Sequence, residues 1–140
     1  MRFAIDAPTA LRILQTGARP AVGHQLVGAA ALRSQVMAIL YRRVRAGEMD
    51  DGAAREALES LASLKVRLLG DRVSRARAWN LARTLDLADP ADLATAEIVA
   101  VALLQADVLV TDDSALADLA RAAEVEVLGW EGFVSASRAA

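Results

Sequence analysis

The sequence predicts an α/β protein of three layers, α/β/α, around a central parallel sheet of about five short strands. Runs rich in Val, Ile and Leu recur at Phe3 to Ile5, Gln25 to Val27, Val66 to Leu69, Val108 to Val110 and Val125 to Leu128. Runs this short and apolar read as strands. The segments between them carry helical spacing, and alternation of this kind implies parallel pairing with helices on both faces of the sheet. No repeat or low-complexity linker divides the 140 residues, so a single domain is expected over 1–130. Residues 131–140 are expected as a C-terminal tail, with Trp130 and Phe133 docking on the core and Ser135 to Ala140 loose.

The element boundaries follow from local chemistry. After the first strand, Pro8 suits a first helical turn, where its missing N–H has no partner to lose. A long helix is expected from about Ala29 to Ala46. It ends with Arg42, Arg43 and Arg45 near the negative end of the dipole, followed by Gly47 as a C-terminal cap. Asp50 or Asp51 can cap the next helix, which runs to about Leu64. Asp71 can cap another, which carries Arg72, Arg75, Trp79 and Arg83 at spacings of three and four. Asp89-Pro90-Ala91-Asp92 reads as a cap, an N1 proline and an acidic first turn. The helix that follows, Ala91 to Gln105, is apolar almost all round and should be buried on most sides.

Composition removes several function classes. The absence of cysteine excludes disulfides and thiolate metal sites, and one histidine, His24, does not make a structural zinc site. His24, alone before a strand, is given no chemistry. No apolar run approaches the roughly 20 residues of a membrane span. Nor does the N-terminus read as a signal peptide, and a cytoplasmic protein is expected. The net charge is only −2, but its distribution is uneven. Arg33 to Arg83 holds 11 basic and 6 acidic residues, whereas the chain from Thr84 onward holds 2 basic and 11 acidic. A basic middle beside an acidic end can bring a polyanion to an acidic metal site, although solvated helix faces produce the same pattern.

The candidate chemistry lies at two strand ends. The run Val108-Leu-Val-Thr111-Asp112-Asp113 ends in carboxylates as helical periodicity begins, and Phe3-Ala-Ile-Asp6 repeats that design about a hundred residues earlier. Aspartates at the ends of parallel strands share the crevice beyond the sheet's carboxyl edge, a geometry suited to magnesium. An aspartate before a helix is also a common N-cap, so neither is diagnostic alone. Gln35, on a helical stripe with Leu32, Ala38 and Ile39, and Thr95, early in the buried helix, supply two further polar groups on otherwise apolar faces. Asp92 lies one turn before Thr95 on the same face, while Glu97 points elsewhere. Either Asp112 or Asp113 could face the site. The spacing favours Asp113, with Thr111 orienting it.

The ordered set Ile5-Asp6-Ala, Leu32-Arg-Ser-Gln35-Val-Met-Ala-Ile-Leu, Thr95-Ala-Glu-Ile-Val-Ala-Val-Ala and Leu109-Val-Thr111-Asp-Asp113-Ser-Ala-Leu resembles the PIN-domain family, especially VapC-like toxins. The resemblance spans residues 2 to about 128, and order and spacing carry it, including the 18 residues from Thr95 to Asp113. It implies an α/β/α PIN-like nuclease whose acidic side chains hold Mg2+ or Mn2+ for hydrolysis of RNA. It also implies the toxin role in a toxin–antitoxin pair, with an antitoxin protein as partner, and a homodimer. The chain departs from the family at two places: Gln35 stands where glutamate is usual, and Thr95 where aspartate is usual.

On this reading Asp6 and Asp113 are the catalytic and metal-holding pair, with Asp92 as the best local substitute for a missing ligand. Magnesium often takes one or two carboxylates together with water and substrate phosphate, so two aspartates can hold one ion but support a second poorly. The alternative is a PIN-fold protein that has lost catalysis and binds RNA or a protein partner. A phosphatase of the haloacid dehalogenase type is disfavoured, because Pro8 stands where a second aspartate is required and Lys65 is the sole lysine.

Overall fold

A computed structural model describes residues 1–138 of the chain. Five strands, β1 (Arg2–Ile5), β2 (Gln25–Ala29), β3 (Arg67–Leu69), β4 (Val108–Val110) and β5 (Val127–Leu128), form one sheet in the order β3-β2-β1-β4-β5. Every pairing is parallel. Seven helices connect and cover them: α1 (Ala7–Thr16), α2 (Leu32–Arg45), α3 (Asp51–Ser63), α4 (Arg72–Thr84), α5 (Asp92–Gln105), α6 (Ser114–Ala122) and α7 (Trp130–Arg138).

Strand alternation divides the core into two layers. Phe3, Ile5, Leu26, Val108 and Val110 face one side, where they pack with α1, α2, α3 and α7. Ala4, Val27, Ala29 and Leu109 face the other and pack with α5 and α6. α4 lies outside α5, burying Ala78 against Ala96 and Ala100. The expected burial of α5 is seen in Ala96, Val99, Ala100, Val101 and Ala102, while Leu93 is exposed. Small residues on both partners let α4 and α5 approach closely.

Some boundaries moved for identifiable reasons. Ala29 belongs to β2, where it pairs with Leu69, and Ala30 N–H still donates to the Leu69 carbonyl at 2.9 Å. The helix therefore begins at Leu32. Its far end follows the expected glycine stop: Gly47 has φ 75°, its N–H reaches the Val44 carbonyl at 3.1 Å, and the Glu48 N–H reaches Arg43 at 2.9 Å. These two bonds are a Schellman closure. Asp50 and Asp71 cap α3 and α4 through Ala53 N–H and Ser74 N–H, at 2.7 and 2.9 Å. Asp89 differs from expectation. Its side chain accepts from Ala91 N–H at 2.9 Å and shapes a turn, and α5 starts only at Asp92, without a side-chain cap.

The expected tail is a correction. Residues 131–138 continue α7, whose Trp130, Phe133 and Ser137 are buried. Phe133 packs edge-on against Phe3 with ring centroids 5.1 Å apart, and the Ser137 carbonyl accepts from Ala21 N–H at 2.7 Å. The docking of Trp130 and Phe133 thus extends through Ser135 and onward to Arg138. Ala139 and Ala140 lie outside the described residues.

Candidate active site

The strand order sets the location. The chain runs outward from β1 through β2 to β3, then crosses to the opposite side of β1 to lay down β4 and β5. The connections leaving β1 and β4 therefore diverge, which opens a crevice at their carboxyl ends. Asp6 follows β1 and Thr111 to Asp113 follow β4, so the topology delivers both candidate acids to this crevice.

Each aspartate caps the helix that follows it. Asp6 Oδ1 accepts from Thr9 N–H at 2.9 Å, and Asp113 Oδ1 accepts from Leu116 N–H at 3.1 Å. Thr111 joins the two segments. Its hydroxyl donates to Asp6 Oδ2 at 2.5 Å while its Oγ1 accepts from Asp113 N–H at 3.0 Å. Thr111 was expected to orient Asp113; its hydrogen bond to that residue is with the backbone N–H, not the carboxylate. Thr9 adds a second tie across the strands, its hydroxyl donating to the Val110 carbonyl at 3.3 Å.

Asp6, Gln35, Thr95 and Asp113 line a single cavity of about 300 Å³. Helix α2 contributes Gln35, Ile39 and Arg42, and α5 contributes Thr95 and Ile98. Asp92 is not among its lining residues; it sits exposed in the first turn of α5. Asp112 also turns away. Its Oδ1 accepts from Trp130 N–H at 3.1 Å and its Oδ2 meets Arg12 Nη1 at 3.3 Å, so it ties β4 to the start of α7. Gly129 permits this closeness, because a Cβ there would lie 2.9 Å from Asp112 Oδ1.

A groove of about 610 Å³ adjoins the cavity, sharing Pro8, Ile39, Arg42 and Asp113 with it. Arg12, Arg43, Gln15 and Asp112 line it as well. Arg12 stacks its guanidinium 4.7 Å from the centre of the Trp130 ring. In the sequence Arg42 and Arg43 read as helix-end cations that could also meet RNA or an acidic antitoxin segment. Arg12 was missed, although Pro8, Arg12 and Gln15 fall on one stripe of α1.

The donor set at the cavity is all oxygen and nitrogen: two carboxylates, one amide, one hydroxyl and the Arg42 guanidinium. Among the described residues no group of three or more His, Asp or Glu side chains could together hold a metal ion. Two carboxylates with a neutral amide and a neutral hydroxyl in the same lining are a ligand chemistry for at most one hard cation of the magnesium type, and both Asp6 oxygens already accept hydrogen bonds. They do not fit a pair of ions.

Comparison with solved structures places the architecture. A chain in the structure of VapBC-1 from nontypeable Haemophilus influenzae matches with a TM-score of 0.61 at 18% identity, over 94% of this chain and 99% of that one. The fold is PIN-like. A chain in the structure of VapBC2 from Rickettsia felis bound to a promoter DNA fragment matches with a TM-score of 0.64 at 10% identity, over 93% and 99% of the two chains. No family model and no curated protein matches the sequence. At such identities it is the PIN-like fold that is shared, over nearly the full length of both chains. Among the described residues no helix is long and apolar enough to cross a membrane.

Proposed function

We propose that this PIN-like protein is a toxin-type endoribonuclease in which Asp6 and Asp113 hold one Mg2+ or Mn2+ ion. The observation that carries this reading is the convergence of Asp6, Gln35, Thr95 and Asp113 on one cavity at the crevice between β1 and β4. A divalent cation bound there supplies Lewis acidity toward a phosphodiester and acidifies water. The chain's own residues do the rest. Thr9, Leu116 and Thr111 fix the two carboxylates through the bonds described above, so the pair is preorganised. Gln35 and Thr95 offer neutral oxygens that add no negative charge to repel an incoming phosphate. Arg42 stands at the junction of cavity and groove, and Arg43 extends positive charge along the groove where an RNA backbone would lie, while Arg12 there is paired with Asp112.

The partner reading follows the same logic. Both neighbours come from VapBC structures, and we assign this chain an antitoxin protein as partner, with a homodimer as its own assembly. The arginine-lined groove suits an acidic antitoxin segment as well as RNA. Co-expression with the product of an adjoining small reading frame, followed by light scattering of the purified complex, tests both. A monomer that captures no such product contradicts them.

Cleavage of a mixed RNA pool with Mg2+ and with Mn2+ tests the enzymatic reading. Cleavage by the native chain should be abolished in Asp6→Asn and in Asp113→Asn. No cleavage in either metal, or cleavage that persists in both variants, would overturn it. The neutral Gln35 and Thr95 favour one second reading, a PIN-fold RNA-binding protein without catalysis. Native chain that binds the RNA pool in a gel-shift assay yet cuts none of it would establish that reading.

A further inference from the structure

A second concavity, of about 710 Å³, opens at the amino-terminal edge of the sheet, where β2 begins at Gln25 and β3 at Arg67. It shares no lining residue with the cavity that holds Asp6 and Asp113 or with the arginine-lined groove. Buried Leu26 and Leu64, with half-buried Val66 and Pro20, give it apolar walls. Exposed Arg19, Lys65 and Arg67 stand around them, and no carboxylate is among the lining residues.

The charge there is uncompensated. None of the three cations forms an ion pair among the described residues, where the pairs are Arg12 with Asp112, Arg55 with Asp51 and Arg121 with Asp118. Arg19 makes a single bond, from Nη1 to the Ile13 carbonyl at 3.3 Å, which turns a neutral acceptor toward it and leaves its charge unbalanced. The N-terminal ammonium lies 2.8 Å from His24 Nδ1, and His24 also lines the cavity. Like charges gathered around a partly apolar concavity repel one another, and a polyvalent anion relieves that repulsion.

We propose that this cavity binds a nucleoside phosphate. Arg19, Lys65 and Arg67 take the phosphates, and the base lies against Leu26, Leu64 and Pro20. Arginine offers forked donors that match phosphate oxygens, and lysine adds a point charge. Three cations suit a multiply charged phosphate better than a single carboxylate. Apolar walls suit a ligand with a flat organic body better than inorganic polyphosphate. The volume falls within the roughly 300–1,000 Å³ of small-molecule sites. A free nucleotide and one unit of an RNA strand present the same chemistry, and the site is independent of whether the opposite edge cleaves RNA.

Calorimetry on the full chain tests the assignment, with ADP, adenosine and a twelve-residue oligouridylate as probes. ADP should bind saturably, weaken as salt is raised, and bind at least about tenfold more tightly than adenosine. The Lys65→Glu/Arg67→Glu variant should lose about tenfold or more in ADP affinity. Both positions are exposed, and matched thermal unfolding would confirm that the fold is kept. In the native chain, ADP should shift the NMR methyl signals of Leu26 and Leu64, a reading that needs no variant. If the oligouridylate competes with ADP and loses affinity in the same variant, the natural source is RNA; if it does not compete, the source is a free nucleotide. No saturable ADP binding, equal binding of adenosine, or unchanged affinity in the double variant overturns the proposal.

Discussion

Asp6 and Asp113 have the same local job and different surroundings. Both cap a helix with Oδ1, at 2.9 and 3.1 Å. Asp6 is 4% exposed and has its second oxygen bound by Thr111, whereas Asp113 is exposed and commits only one oxygen. One carboxylate is therefore part of the core as well as of the site. The other is free to turn its second oxygen toward a ligand. A pair that looks equivalent in the sequence divides, in the fold, into a structural anchor and a more available acid.

The two carboxylates should separate most clearly under truncation. Asp6→Ala removes a cap worth about 1 kcal/mol and strands the buried Thr111 hydroxyl, for a total loss of about 2–4 kcal/mol in urea unfolding. Thr111→Val keeps the shape but deletes the bond to Asp6 Oδ2 and the acceptor for Asp113 N–H, and should cost about 1–2 kcal/mol by the same measurement. Asp113→Ala should cost only about 1 kcal/mol, the value of its cap. Equal losses for Asp6→Ala and Asp113→Ala would erase the distinction between them.

The smallest effect comes from a third capping aspartate, remote from the site. The backbone N–H of Ser74, and then its side chain, holds the Asp71 carboxyl below the usual carboxylate value. A group whose folded pKa is lowered stabilises the protein fully above its unfolded pKa. That contribution is lost as pH falls through the lowered folded value. The acid limb of the stability profile of Asp71→Asn should therefore be slightly shallower than that of the native chain, read by thermal unfolding from neutral to strongly acid pH. An acid limb identical to that of the native chain would contradict the assignment.

Much of this architecture was legible before any coordinates, because it rests on strong local signals. Strand runs bounded by aspartate or glycine marked β1, β3 and β4, and parallel pairing followed from the intervening helices. Asp6, Gln35, Thr95 and Asp113 could be grouped because helical and strand periodicity predicts which way a side chain faces. The partners of Asp112 could not. Its bonds to Arg12 and Trp130 N–H join segments 100 and 18 residues away, and no periodicity reports contacts of that kind. The run Ser-Ala-Ser in α7 hid a short amphipathic helix behind small residues of weak helical preference, although Trp130, Phe133 and Ser137 fall on one face. Arg12 and Arg42 entered the site for a related reason: a helix-end or surface arginine looks the same in a sequence whether or not a groove lies beneath it.

The position of β1 at the centre of the sheet has a consequence for the order in which the molecule is made. Its first neighbour, β2, emerges from the ribosome early, but β4 and Asp113 follow Asp6 by about a hundred residues. At a synthesis rate of about 5–20 residues per second, one flank of β1 stays unpaired for roughly 5–20 s. Through that interval the nascent chain carries Asp6 without Thr111 or Asp113, and a chain released early carries half a crevice. Asp6 and Asp113 are brought together only after β4 has been made.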